Sequence, residues 1–396
     1  MKLESLAVHA GDRKRNGASF VPVTTPIYAA SSFFYPSAEM LDRVFGKEVP
    51  GQTYTRYNNP TTNALEEQIA ALEGGQWALA ASSGMAALHL AILTALTDRR
   101  RCIVAGPVLY GASIRLLMDF FEPFGVEVHF ADPNDPAAWE AAVAEHKPGC
   151  VLVETITNPL LRVTPLDTVV ESAHRYGALV VVDSTFATPL LVRPLELGAD
   201  LVVHSLTKYL GGHGDILAGV VVTREEFRPI METISRTIGG VISPFEAYLA
   251  MRGIKTFALR MARQCANACR VASWLATHPR IARVNFPGDP NHPDAAVSRR
   301  LFPPGLFGAM VSFEVKGAGR EEIFQILDAL KMIVPATSLG DVHSMVLYPP
   351  MSSHRDLAPK HRQRLGISDN FLRVSVGIEA PEDIIEDLAQ ALDPGR

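Results

Sequence analysis

Between residues 62 and 223 the chain alternates short apolar runs with stretches of helical period. The runs at 102–105, 126–130, 150–154, 178–183, 200–204 and 217–222 are four to six residues long and mostly Val, Leu, Ile and Ala. That length and composition fit β-strands. Helical patterns lie between most of them, at 64–72, from Gly84 through Leu96, at 136–145 and at 166–176, and Gly74-Gly75 stops the first. This alternation predicts an α/β domain built on a mostly parallel sheet. After Ser243-Pro244 the pattern changes. A long helical stretch is predicted over 245–278, followed by β-rich pieces at 310–315 and 371–376 with helical patterns at 320–330 and 381–392. Residues 1–60 are rich in Pro, Thr, Ser, Tyr and Asn and show little periodicity. The expected organisation is an extended arm over 1–60, a large α/β domain over 61–244 and a smaller α+β domain over 245–396.

Composition narrows the function classes. The chain has 396 residues, 47% hydrophobic and 20% charged, enough apolar material for a large core. Net charge is −5 and no basic run stands out, so neither nucleic acid nor an anionic membrane is expected as a partner. No apolar stretch approaches the roughly 20 residues of a membrane span. The start, Met1-Lys2-Leu3-Glu4-Ser5, has no apolar signal region, and a cytoplasmic location is expected. Cys102, Cys150, Cys265 and Cys269 form no Cys-x-x-Cys, which fits a reducing compartment. Cys265 and Cys269 share a helix face without a histidine at ligand spacing. They read as packed thiols, and no metal site is expected. Neither a Gly-x-Gly-x-x-Gly after an early strand nor a Gly-x-x-x-x-Gly-Lys-Ser/Thr loop is present, which argues against a dinucleotide or nucleotide enzyme.

The chemistry gathers at strand ends. In open α/β sheets ligands bind beyond the carboxyl ends of the strands, and Glu154, Asp183 and the group Ser205-Leu206-Thr207-Lys208 each follow such an end. A lysine just after an apolar run gains a fixed position and a lowered pKa by burial. Lys208 to carry an aldehyde and Asp183 to pair with a pyridinium nitrogen are the two groups pyridoxal phosphate (PLP) requires. Ser205 and Thr207 offer hydroxyls to a phosphate ester. Ser83-Gly84-Met85 opens a helix whose free backbone N–H groups suit an anion, or the serine simply caps it. Arg56 suits a phosphate through its planar fork, or marks a surface turn. Tyr110 either stacks on a cofactor ring or packs in the core. Asn158 either donates to a ring oxygen or makes a turn before Pro159. Arg373, inside the β-rich run 371–376, needs a partner: a substrate carboxylate or an internal acid.

Taken in order, these motifs resemble the Cys/Met-metabolism (transsulfuration) family of PLP enzymes: cystathionine γ-synthase, cystathionine γ-lyase, methionine γ-lyase and the homoserine-ester sulfhydrylases. The similarity runs through Tyr54-x-Arg56-x-x-Asn59-Pro60-Thr61, Ser83-Gly84-Met85-Ala86, Tyr110-Gly111, Glu154-x-x-x-Asn158-Pro159, Asp183, Ser205-x-Thr207-Lys208-Tyr209, Ser338-Leu339-Gly340 and Arg373-Val374-Ser375-Val376-Gly377. It implies the fold-type I architecture, related to that of aspartate aminotransferase, and a homotetramer built as a dimer of dimers with shared active sites. Tyr54 and Arg56 would reach the phosphate of a neighbouring subunit's cofactor. Gly84, Met85, Ser205 and Thr207 would hold the phosphate within the subunit. Asp183 would pair with the ring nitrogen, Tyr110 would stack on the ring, and Arg373 with Ser338 would grip the substrate α-carboxylate. Lys208, Asp183 and Tyr110 are the implied catalytic set.

The activity implied is elimination at Cγ of a sulfur amino acid, giving 2-oxobutanoate and ammonia. The alternatives are γ-replacement on an O-acylhomoserine by a thiol or cysteine, and a PLP-binding protein without turnover. The subgroup markers are mixed. Ala112 stands where methionine γ-lyases usually carry a cysteine, and Ser235-Arg236 where they carry Lys-Asp. The segment 235–245 is similar to one in the homoserine-ester sulfhydrylases. His343, Tyr348 and His354 are either the walls of an uncommon substrate pocket or drift at its rim.

Overall fold

The structure, a computed structural model, describes residues 1–14, 20–352, 355 and 366–393; His354 lies outside them. Seven strands form the larger sheet: β1 (Trp77–Ala81), β2 (Cys102–Ala105), β3 (Glu127–Phe130), β4 (Cys150–Glu154), β5 (Leu179–Asp183), β6 (Leu201–Ser205) and β7 (Gly219–Thr223). Their order is β1-β7-β6-β5-β4-β2-β3. Strand β7 is antiparallel to both its neighbours, and the other pairs are parallel. Alternate residues serve opposite faces. Val151, Val153, Val180, Val182 and Val202 enter one apolar core, and Leu152, Val181 and Val203 enter the other. Because both faces are covered, the strands are continuous apolar runs, which is what made them readable.

The second sheet holds β8 (Ile281–Asn285), β9 (Met310–Val315), β10 (Val334–Pro335), β11 (Met345–Leu347) and β12 (Phe371–Ser375), in the order β10-β11-β12-β9-β8. Helices Arg320–Ala329 and Pro381–Leu392 pack on it around Val311, Phe313, Leu372, Val374, Ile384 and Leu388. The architecture is therefore α/β with a mostly parallel sheet and a smaller α+β unit, as expected.

Three local expectations change. The helical stretch over 245–278 is two helices, Pro244–Ile254 and Phe257–Thr277. The break falls at Lys255, whose Nζ bonds to Asp12 Oδ2 at 2.5 Å. The arm is not wholly extended, since it contains the helices Leu3–His9 and Ala38–Phe45. Tyr348 is no pocket wall. It is 1% exposed, lies edge-on to Phe324 and donates to the Asp369 carbonyl at 2.7 Å, so it belongs to the small-domain core.

The loop after β4 is anchored before it reaches the site. Asp294 accepts from Arg162 Nε at 2.6 Å and Nη2 at 2.9 Å, from Val163 N at 3.0 Å and from Asn134 Nδ2 at 3.1 Å. Ser312, paired with Arg373 across β9 and β12, donates to the Pro159 carbonyl at 2.8 Å. Replacing Asp294 by Ala leaves a part-buried guanidinium and a buried N–H without their acceptor. The expected cost is about 2 kcal/mol, read as a fall of a few degrees in Tm. An unchanged Tm would show that the loop does not depend on this anchor.

Candidate active site

Strands β4, β5 and β6 are adjacent and parallel, so their carboxyl ends bring Glu154, Asp183 and Ser205 to one edge of the sheet. Glu154 and Asp183 are register partners and face the same side. The Asp183 carboxylate accepts from Thr185 N at 3.0 Å. Burial raises its pKa, and the Thr185 hydrogen bonds act against that. A ring nitrogen that stays protonated favours a carboxylate here, because a positive partner restores the charged form.

Lys208 follows β6 on a tight turn. Its N–H bonds to Ser205 O at 3.2 Å, and its Nζ donates to Ser338 Oγ at 3.0 Å. Burial, with the nearby Arg373 charge, pulls its pKa down to about 8. The turn is gripped by a residue that sequence reasoning missed. Arg260, 6% exposed, donates to the carbonyls of Tyr209 (2.8 Å), Leu210 (3.1 Å), Gly211 (3.4 Å) and Gly253 (2.8 Å). A lone arginine on a helix carries no sequence signal for this. Across the turn lies Gly340, at φ +77°, where a Cβ would come within 2.5 Å of Tyr209 N. Only glycine lets the Ser338-Leu339-Gly340 loop approach Lys208 this closely.

The candidate phosphate cradle is the start of the helix Gly84–Leu96, whose N-cap Ser83 accepts from Ala86 N at 3.1 Å. Its first N–H groups, at Gly84 and Met85, have no carbonyl to bond within the helix. A Cβ at Gly84 would lie 2.8 Å from Ser205 Cβ and 3.0 Å from its Oγ, so the glycine keeps a small cradle open between helix and strand. The Thr207 hydroxyl is engaged with Ala218, accepting from its N at 3.1 Å and donating to its carbonyl at 3.3 Å.

Arg373 reaches the site from β12. It is 2% exposed, and its Nη1 donates to Asn158 Oδ1 at 2.6 Å. Its Nε is buried without a partner among the described residues, and burial lowers its pKa to about 10. A buried guanidinium with a spare donor suits an incoming carboxylate. Asn158, 3% exposed, spends its carbonyl on Arg373, which leaves its amide N–H groups for a ring oxygen. Tyr110 is 41% exposed, and its backbone N–H is fixed by Glu154 Oε1 at 2.6 Å. Together the open Gly84 cradle, the lysine with a lowered pKa, the strand-end carboxylate and the orphan Arg373 donor fit PLP and an amino-acid carboxylate.

Not every expected residue joins this group. Tyr54 and Arg56 stand apart: Arg56 bonds to the Arg236 carbonyl and lies over the Tyr54 and Tyr57 rings at 5.6 and 5.0 Å. His343 pairs with Asp341 at 3.3 Å. Cys265 is buried at the junction of the helices with the large core, and Cys269 is half-buried. Among the described residues one trio of metal-ligand types occurs, Cys102, Glu127 and His129. It lies on β2 and β3, with Glu127 already held by Arg100 at 3.0 Å.

Lys208→Ala should leave the fold intact, because the side chain gives up a single hydrogen bond, to Ser338. It should abolish the borohydride-stable PLP label and lower turnover by at least about 10³-fold. A retained label on another residue would displace Lys208 from its role.

Comparison with known proteins agrees with this geometry. Residues 4–393 match the family described as Cys/Met metabolism PLP-dependent enzyme. L-methionine gamma-lyase of Fusobacterium nucleatum subsp. polymorphum is 41% identical over 394 residues, covering 99% of this chain and 98% of that protein. O-succinylhomoserine sulfhydrylase of Pseudomonas aeruginosa is 39% identical, covering 98% and 94%. The crystal structure of cystathionine gamma synthase from Xanthomonas oryzae pv. oryzae, in complex with aminoacrylate and cysteine, superposes with a TM-score of 0.92 at 36% identity, covering 99% and 98%. A match along nearly the whole chain, joined to an aspartate and a lysine at the ends of adjacent strands, places this protein in the Cys/Met metabolism family of PLP-dependent, fold-type I enzymes.

Proposed function

We propose that this enzyme eliminates the γ-substituent of a sulfur amino acid such as methionine or cystathionine, releasing 2-oxobutanoate and ammonia. The observation that carries this is the position of Lys208 Nζ, held by Ser338 beside the buried Arg373 that takes the α-carboxylate. When bound, PLP supplies an electron sink for negative charge formed next to the amino group. Arg373 fixes the carboxylate end of the substrate and so presents the Cα and Cβ hydrogens to Lys208. Lys208, with a pKa of about 8, holds an appreciable uncharged fraction near neutral pH and takes the Cα proton; it must hand that proton on before it can take one from Cβ. Asp183 keeps a proton on the ring nitrogen. Tyr110, whose ring is partly exposed, hands a proton to the departing sulfur. The relative at 41% identity, a methionine gamma-lyase, supports elimination.

A second reading, γ-replacement on an O-acylhomoserine by a thiol, draws support from the sulfhydrylase at 39% identity and from the synthase of the same fold. The two share every step up to the fate of the γ-carbon. A difference of about 1–3 kcal/mol in the pocket is enough to shift the balance by roughly 10–200-fold.

The working unit is a cytoplasmic homotetramer in which Tyr54 and Arg56 serve a neighbour's phosphate. Two features support this. Arg56 is not bonded to its own site, and the arm exposes Phe20, Val23 and Phe34 at 76%, 75% and 90%, a run of apolar side chains that calls for a covering surface. Among the described residues no helix is long and apolar enough to cross a membrane.

The purified, PLP-loaded enzyme should release 2-oxobutanoate from L-methionine or L-cystathionine without added thiol. Release confined to O-acetyl- or O-succinylhomoserine, and falling when thiol is added, would replace this reading with γ-replacement.

A further inference from the structure

Glu154 is the buried carboxyl that the mechanism above leaves without a task. It ends β4, is 6% exposed and sits beside Asp183 on the same face. Its two oxygens are divided between two segments of the site. Oε1 accepts from the Tyr110 N–H at 2.6 Å, and Oε2 accepts from the Asn158 N–H at 3.1 Å. Asn158 in turn offers Oδ1 to Arg373 Nη1 at 2.6 Å. One side chain thus fixes the backbone under the tyrosine and, through a two-bond chain, the guanidinium for the substrate carboxylate.

A purely structural acid would be expected elsewhere. Burying a carboxyl next to another carboxyl is costly, and burial together with Asp183 pushes the Glu154 pKa well above the usual carboxylate range. An apolar residue at the end of a buried strand would avoid that cost. Two backbone N–H donors converging from residues 110 and 158 explain the choice, because only a carboxyl has two acceptor oxygens for them. An amide has one, and its NH₂ would face the second N–H.

We propose that Glu154 is a positioning residue that joins the two halves of the active site. It sets Tyr110 for the leaving group and, through Asn158, sets Arg373 for the α-carboxylate, so that both are placed by one rigid strand end. The proposal rests on the roles given above to Tyr110 and Arg373. It does not depend on whether the enzyme eliminates or replaces.

The test uses the PLP-loaded enzyme and two readouts. Glycine, which has no leaving group, reports the carboxylate clamp through the visible absorbance change on binding. Turnover of the best substrate reports the tyrosine. Glu154→Gln should weaken glycine binding about 10-fold and lower kcat about 10-fold or more, with PLP content and Tm close to the parent. Glu154→Asp keeps both oxygens but withdraws them from the two N–H groups, and it should move both constants in the same sense by less. If Glu154→Gln does not hold PLP, Glu154→Asp alone decides the matter. Combining Glu154→Gln, or in that event Glu154→Asp, with Asn158→Ala should weaken glycine binding no more than Asn158→Ala alone, because the two act in one chain. Parent-like glycine affinity and kcat in the deciding variant would overturn the proposal. So would multiplicative losses in the double variant. If the parent enzyme gives no absorbance change with glycine, the carboxylate clamp itself is wrong, and that failure is distinct from failure of the Glu154 link.

Discussion

Two cationic side chains, Lys208 and Arg373, lie near enough for one to act on the other's charge, and the rest of the site is arranged around that constraint. Lys208 follows β6 of the larger sheet and Arg373 lies on β12 of the smaller one; burial lowers the pKa of both, and the Arg373 charge lowers that of Lys208 further. Left alone, such a pair is unfavourable. A neutral lysine and a carboxylate partner for the arginine would each relieve it. The arrangement fits a cofactor aldehyde at the lysine and a substrate carboxylate at the arginine.

Keeping the lysine in that position requires a rigid surround. Arg260 bonds to four carbonyls, three of them in the turn after Lys208, and the Gly340 backbone closes on the opposite side. Ser375 Oγ accepts from Gly340 N at 2.8 Å, tying that loop back to the strand that carries Arg373. The carboxyl ends of β4, β5 and β6 supply the remaining groups from the centre of a sheet covered on both faces. Sites held on such elements lose little geometry to thermal motion.

Most of this was readable from the chain, and the exceptions have physical causes. Runs such as Cys150–Glu154 and Leu179–Asp183 are doubly buried, so their apolar content marks them and their last residues mark the site. Strand β1, Trp77–Ala81, is three-fifths alanine, a weak strand former, and left no signal. Strand β7 was visible, but its antiparallel direction is set by its partners β1 and β6. The break falls at Lys255, which pairs with Asp12, distant in sequence, and the apolar pattern over 245–278 carries no mark of it. Arg260 looks like any helical arginine until the carbonyls of a turn about fifty residues earlier close around it. Glu154 was visible as a strand end, whereas its two N–H partners come from separate loops. For Tyr348 the sequence leaves a pocket wall and drift at its rim open, and neither shows that its hydroxyl is bonded within the core.

The central claim is that burial beside Arg373 leaves Lys208 largely uncharged at mildly alkaline pH. Competitive labelling of the PLP-free protein with acetic anhydride, read at Lys208 by peptide mass spectrometry across pH 6–11, tests it directly. Because the neutral amine is the reactive form and burial lowers its pKa, labelling at Lys208 should rise with a midpoint near 8. Exposed lysines of the same molecule should rise near 10.4. A Lys208 midpoint at the exposed value would contradict the account.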